Sequence, residues 1–347
     1  AAPTTAPTAV PKPAATTAPT GAPKTSSRDK IIVARGANLR HSNPWGGGLY
    51  EGETANHMYE GLYRTIPGTA TLQPVLAKEW HQSEDGLTWT FKLYQGIKFA
   101  NGEEVTAHDF KASYAALAAD NTLQLYPYVY PKLKLENIID VDDYTLTIKT
   151  EQPFPSIFLL PTILCASRKA IEADPKGFSE KPGAGSGPWK LTSWSREKLT
   201  MEPNPLYRDP SVVRIKYFEY RAIVEEATKL AALKAGEVDV IDQVPFEQVK
   251  GLESDPRFKI QYSRALDLMH LNINCGEPPF DNKEARRAAM YAVDRKALVD
   301  TVLGGAAEVA IQPQPEGYMG HNPNLKVFPY DPAKSKQILQ AAGFTLP

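Results

Sequence analysis

Glu103, Glu104, His108 and Asp109 lie within seven positions of one another, in the stretch DGLTWTFKLYQGIKFANGEEVTAHDF. Two carboxylates, an imidazole and a third carboxylate at this spacing are the inventory of a general acid–base site, and a hydrolase built on them is one reading. That chemistry needs the groups in one cleft with a third partner to orient the histidine, and the neighbouring sequence offers none. The order Thr106-Ala107-His108-Asp109 ahead of FKASYAALAA gives a different account. It is a Ser/Thr-x-x-Asp/Glu capping pattern, in which Thr106 caps the amide of Asp109 and the Asp109 carboxylate reaches back to the Thr106 amide. Asp109 also sits well at the positive end of the helix dipole. The cluster therefore reads as a helix start, with Thr106 and Asp109 as scaffold.

GAGSGPW, Gly183 to Trp189, resembles a phosphate loop only superficially. No Lys-Ser/Thr pair follows, Pro188 and Trp189 lead into a strand, and Ser186 lacks the flanking of a nucleophile elbow. Gly183, Gly185 and Gly187 are expected to form a tight loop that uses positive φ. The six histidines show no metal-ligand spacing, so neither a metal site nor a cofactor is expected. Two cysteines in 347 residues give no disulfide framework, and both are expected to be buried free thiols.

The elements around these motifs alternate irregularly. KIIVARGA is a strand, SNPWGGG a loop, and the segment from about Glu51 a helix presenting Ala55, Met58, Tyr59 and Leu62. Two strands flank Glu84-Asp85-Gly86, the second with Leu87, Trp89, Phe91 and Leu93 on one side. LTSWS, RIKYFEYR and HLNIN are further strands. EEATKLAALKAGEVDVI is an amphipathic helix with Ala227, Leu230, Ala231 and Lys234 in one stripe and Gly236 as its C-cap. Ala285, Ala288, Ala289 and Ala292 have helical spacing, with a restart at Asp294. Asp331 and Pro332 open a last helix. Together they predict a mixed α/β architecture.

Composition narrows the partners. Lys+Arg 39 against Asp+Glu 40 leaves a net charge of -1, so no field recruits nucleic acid or an anionic membrane. No apolar run is long enough to span a bilayer. Residues 1-29 contain 21 Ala, Pro or Thr and no Leu, Ile or aromatic residue. They are expected to form a disordered tether to an anchor, making a cell-surface lipoprotein or a periplasmic protein. Aromatic residues at loop edges, including Tyr126, Tyr128 and Tyr130, suit a wet pocket for mixed ligands.

Five segments in order resemble one family. They are YEGLYR through VTAHDF, GSGPWKLTSW with MEPNPLYRD, LAALKAGEVDVI, LNINCGEPPFDNKEARRAAMYAVDRKALVDTVLGG, and YDPAKSKQILQAAGF. The family is the extracellular solute-binding proteins, family 5, of oligopeptide, dipeptide and nickel ABC importers. The resemblance implies a two-lobed periplasmic-binding-protein-like fold without catalysis, in which a monomer captures a peptide and delivers it to a membrane permease. Nickel, a metal chelate or an oligosaccharide is the alternative cargo. Lobe I would comprise 30-50 with 184-264 and an added subdomain, 51-183. Lobe II would begin near Ala265 and be incomplete, because family members extend well past the last helix. Candidate cleft residues are Asn43, Trp45 and Tyr50 from the first loop, Tyr126 and Tyr128 from the subdomain, and Trp189 and His270 near the junction of the lobes.

Overall fold

The computed structural model describes residues 29–345 apart from 41, 47–48, 67–70, 121–133, 153–162, 182, 263–267 and 315–319. Two sheets organise it. The first contains β1 (Lys30–Arg35), β8 (Trp189–Trp194), β9 (Lys198–Pro203), β10 (Tyr217–Ala222) and β11 (Val240–Ile241), in the order β11-β1-β10-β9-β8. β1 runs parallel to both β10 and β11, whereas β9 is antiparallel to β10 and β8. The chain therefore leaves β10, passes through helix α4 (Glu226–Ala235) and returns on the far side of β1. This crossover aligns the carboxyl ends of three strands.

The second sheet is an antiparallel array, β4 (Ala77–Gln82), β5 (Thr88–Leu93), β7 (Thr145–Lys149) and β6 (Ile138–Asp142), in the order β4-β5-β7-β6. β5 explains its own placement. Trp89, Phe91 and Leu93 are buried while the alternate Thr88, Thr90 and Lys92 face outward. Trp89 and Phe91 meet Ile148 and Leu146 across the β5–β7 ladder. Helix α2 (Ala107–Ala119) covers this sheet with Phe110, Tyr114 and Leu117, three and four residues apart. One continuous core joins Phe99 and Phe110 of this part to Leu191, Leu199, Met201 and Tyr220 of the first sheet. A two-stranded ribbon, β2 (Tyr63–Thr65) with β3 (Leu72–Pro74), precedes β4.

At the start of α2, the Thr106 amide and hydroxyl both donate to Asp109 Oδ2 at 2.8 Å. The other oxygen of Asp109 accepts the Arg168 amide at 2.8 Å, which ties α2 to helix α3 (Arg168–Ala173). Thr106→Ala is expected to cost ~0.5–2 kcal/mol by loss of the cap. A urea midpoint that does not move would refute the assignment.

Several elements differ from the sequence reading. Helix α1 spans Leu49–Met58, so Tyr59 and Leu62 are buried beyond its end rather than on its face. HLNIN forms no strand: Leu271 and His270 are exposed, and no described strand lies alongside to supply a ladder. On α4, Ala227, Ala231 and Lys234 are exposed; the buried residues are Lys229, Leu230 and Ala232. The face is rotated because Lys229 turns inward to an aspartate. Cys165 is buried and free, but Cys275 is exposed. After helix α5 (Phe246–Glu253), helices α6 (Lys283–Ala292) and α7 (Pro332–Ala341) pair through small residues. Ala285 and Ala288 are buried there, and Ser335 Oγ donates to the Ala288 carbonyl at 2.8 Å. Ala292, expected on the same face, is exposed.

Candidate functional site

The four acid–base candidates do not converge. Glu103 accepts from Ser167 Oγ at 2.8 Å and Asn101 Nδ2 at 3.0 Å and pairs with Lys169. Glu104 accepts the Gly96 amide at 2.6 Å and the Tyr144 hydroxyl at 2.8 Å. Asp109 is occupied by the helix start. His108 does have the orienting partners that the local sequence withheld: Nδ1 lies 2.6 Å from Asp140 and Nε2 3.1 Å from Asp143, both from β6 and the turn after it. Burial pushes Asp140 up, but its bonds from Lys111 and His108 outweigh that and hold it below the usual carboxylate range. The result is a part-exposed ion cluster at the edge of an open surface pocket lined by Lys111, Ala112, Leu135 and Arg168, with no hydroxyl or thiol nucleophile among the lining residues.

Asp140, and secondarily Asp143, raise the His108 pKa above its ordinary value. A raised pKa in the folded state means the charged ring stabilises the fold. That contribution is present in full below about pH 6.5. It is lost as pH rises through the folded-state pKa. His108→Gln is expected to flatten the stability profile across that window, in urea melts at matched pH values. Its amount is modest because the ring is part-exposed.

A different cluster stands at the carboxyl ends of the parallel strands, where ligands of open α/β sheets gather at the point of crossover. Arg35 closes β1, and Asp242 follows directly on β11. Lys229, from α4, is 1% exposed and donates to Asp242 Oδ1 at 2.7 Å. Arg35 Nη1 lies 3.8 Å from Asp242 Oδ2, and Arg35 Nη2 bonds Glu53 of α1. Four charges thus alternate in sign from the interior outward. Asp242 holds two cations, which is how a nearly buried lysine stays tolerable. Glu53 is 40% exposed and forms the outer end. His57, one turn further along α1, packs on Phe218 at 5.3 Å; burial lowers its pKa, so it stays neutral around pH 7. Gln243, next to Asp242, has φ of 48°, a strained backbone of the kind concentrated at ligand clamps.

No residue of this chain of charges was singled out from the sequence. A lysine on an amphipathic helix reads as solvated, and only the fold brings positions 35, 53, 229 and 242 together. Among the expected cleft residues, Asn43 lies in the loop after β1, where its Oδ1 accepts the Trp45 amide at 2.9 Å. Trp45 is completely buried, tilted on Phe178 at 5.4 Å with Nε1 donating to the Leu164 carbonyl. It cannot touch a ligand in this arrangement; as a full-size apolar ring it fills the core. Trp189 is also buried, against Phe218. His270 is exposed, with Nδ1 near the Leu268 carbonyl. Tyr50 belongs to α1, its side chain outside what is described, and Tyr126 and Tyr128 lie outside the described residues altogether. Among the described candidates, Trp45 and Trp189 are core side chains while His270 is exposed. Of the three glycines, only Gly183 has positive φ, 101°. Gly185 and Gly187 serve a different need: a Cβ there would fall 2.0 Å from the Met58 carbonyl oxygen and 2.6 Å from that of His57.

The mixed α/β architecture, with a β–α–β crossover in one sheet beside a second, antiparallel sheet, is shared with two-lobed periplasmic binding proteins. Residues 71–347 match the model for bacterial extracellular solute-binding proteins, family 5, and the chain belongs to that family. The glutathione-binding protein GsiB of Escherichia coli O1:K1 is 29% identical over 321 residues, covering 91% of this chain and 62% of GsiB. The periplasmic binding protein DppA of Helicobacter pylori, solved with the peptide STSA, superposes with a TM-score of 0.72 at 25% identity. That match covers 90% of this chain and 66% of DppA. NikZ of Campylobacter jejuni, solved with Ni(L-His), shares the fold at a TM-score of 0.75 and 24% identity over 92% of this chain and 64% of NikZ. The chain thus spans somewhat less than two thirds of the length of GsiB.

Proposed function

We propose that the protein is an extracytoplasmic receptor that captures peptides between two lobes and delivers them to an ABC importer, without chemical turnover. The observation that carries this is the likeness, over nearly the whole chain, to a glutathione-binding protein and to a DppA holding a tetrapeptide. Glutathione is itself a small peptide, so both relatives take ligands of amide backbone and charged termini.

The first lobe would combine 30-50 with 184-264, which supply all five strands of the first sheet, and 51-183, which supply the second. Residues from 265 would open the second lobe. A ligand closes two such lobes only through contacts it makes better in the closed state. The Ala/Pro/Thr-rich residues 1-29 suit a spacer that holds a monomeric receptor near the membrane. Main-chain recognition with hydrated side-chain pockets admits many peptide sequences.

Calorimetric titration of the full-length protein against di- to pentapeptides, nickel chelates and oligosaccharides tests the reading. Peptide binding at micromolar Kd or tighter supports it. Silence toward every peptide together with binding of a chelate or a sugar would replace the cargo. Among the described residues no group of three His, Cys, Asp or Glu side chains could hold a metal.

A further inference from the structure

We infer that Arg35 is the carboxylate receiver of the ligand site and that Glu53 is its internal stand-in, occupying the guanidinium until an acidic ligand displaces it. The inference rests on the peptide-receptor reading and adds to it which chemical group the site selects.

Three observations on one side chain support it. The guanidinium is held from behind: Nη1 faces Asp242 Oδ2 at 3.8 Å, and Asp242 is itself fixed by the buried Lys229. On its other side stands Glu53, whose side chain is the most exposed of the four. Finally, Arg35 Nε is buried without any hydrogen-bond partner, although Nη2 beside it is bonded to Glu53.

Arginine is built to take one carboxylate across two donors at once, and here a single side chain takes one and leaves its neighbour orphaned. Glu53, held on α1, bonds Nη2 and does not reach Nε. A free carboxylate, unconstrained by a helix, can lie across the Nε–Nη2 edge and satisfy both. Such an exchange swaps an exposed internal ion pair for a two-pronged one. Glu53 loses little, because half-exposed carboxylates are readily rehydrated.

The location supports the same role. Arg35 ends β1, between the ends of β10 and β11, and the strained Gln243 stands beside its partner Asp242. Neutralising both cations internally also fits a chain whose net charge is -1: selection here is local, with no long-range field to attract anions.

The test compares, for the full-length protein, one tetrapeptide with a free C-terminus, its C-terminal amide, and matched versions carrying Glu or Gln inside. The two pairs separate a terminal carboxylate from a side-chain one. The expected result is that at least one free carboxylate strengthens binding about tenfold or more. That preference should disappear in Arg35→Gln. In Glu53→Gln, with the competitor removed, acidic forms should bind several-fold tighter while neutral forms are unchanged. Thermal melts of each variant check folding. Should Arg35→Gln fail to fold, Glu53→Gln and Arg35→Lys, which keeps the charge but loses the fork, still decide. Peptide binding with equal affinity for acid and neutral forms, or a preference that survives Arg35→Gln, overturns the inference and leaves the peptide receptor standing. No binding of any peptide by the wild type overturns both.

Discussion

Gly185→Ala is expected to destabilise the protein by about 3 kcal/mol or more, at or beyond the upper end of ordinary overpacking costs. A Cβ built on Gly185 lies 2.0 Å from the carbonyl oxygen of Met58 and 3.0 Å from the Tyr59 ring. The first neighbour is backbone, so no rotamer change relieves it. Nor is the Met58 carbonyl free to swing away. It accepts the Gly187 amide at 2.8 Å, while Gly185 O accepts the Ala100 amide at 2.9 Å. The loop is thereby stitched on one side to the end of α1 and on the other to the turn that precedes α2. Moving it would open the core around Tyr59, which is buried. The φ of Gly185 is not in the left-handed region, so the whole effect comes from close approach. That separates it from Gly183, where positive φ and Asn101 at 3.0 Å act together. Urea denaturation measures the loss. A Gly185→Ala protein within 1 kcal/mol of the wild type would show that the loop and α1 are not in register as described.

This loop marks where sequence reading stopped. The three glycines in GAGSG were expected to form a tight loop through positive φ, the local reason available, and only Gly183 uses it. Close packing against Met58 and His57 is not local; it depends on 126 or more residues of intervening chain folding back. The same limit governed the charges. Thr106 and Asp109 were legible because a helix cap is written in four consecutive residues. Arg35, Glu53, Lys229 and Asp242 were not, because no spacing joins them. Trp45 shows the converse error. A tryptophan beside Pro44 in a glycine-rich loop looks exposed, yet its ring finds Phe178 and the Leu164 carbonyl, more than a hundred residues further along the chain. The α/β class and strands β1, β4, β5, β8 and β10 were readable from alternation and turn residues, whereas β6, β7 and β9 were not among the expected strands. HLNIN alternates just as well, and without a described neighbour it forms no ladder.

Arg208→Ala is expected to cost about 3 kcal/mol through what it leaves behind. Glu60, 8% exposed, receives both prongs of the Arg208 guanidinium at 2.7 Å, with Ser186 Oγ at 3.1 Å and the Tyr207 hydroxyl at 3.3 Å. Removing one partner of a buried pair strands a charge, a loss of ~3–5 kcal/mol. The lower figure applies here because Arg208 is itself about a third exposed and water can enter its place. Glu60, two residues past α1, also ties distant segments together: its carbonyl accepts the Cys165 amide and its carboxylate reaches Ser186 in the glycine loop. Stranding it therefore loosens the seam between the two sheets. A second substitution distinguishes a stranded charge from lost packing. Glu60→Gln in the Arg208→Ala background should recover part of the loss, since an amide is cheaper to desolvate than a carboxylate and can still accept from Ser186 and Tyr207. Equal stability of the single and double variants would assign the loss to the arginine stem packing on the Tyr207 ring, 5.1 Å from the guanidinium carbon. A single variant as stable as the wild type would remove the ion pair from the account of how the sheets are joined.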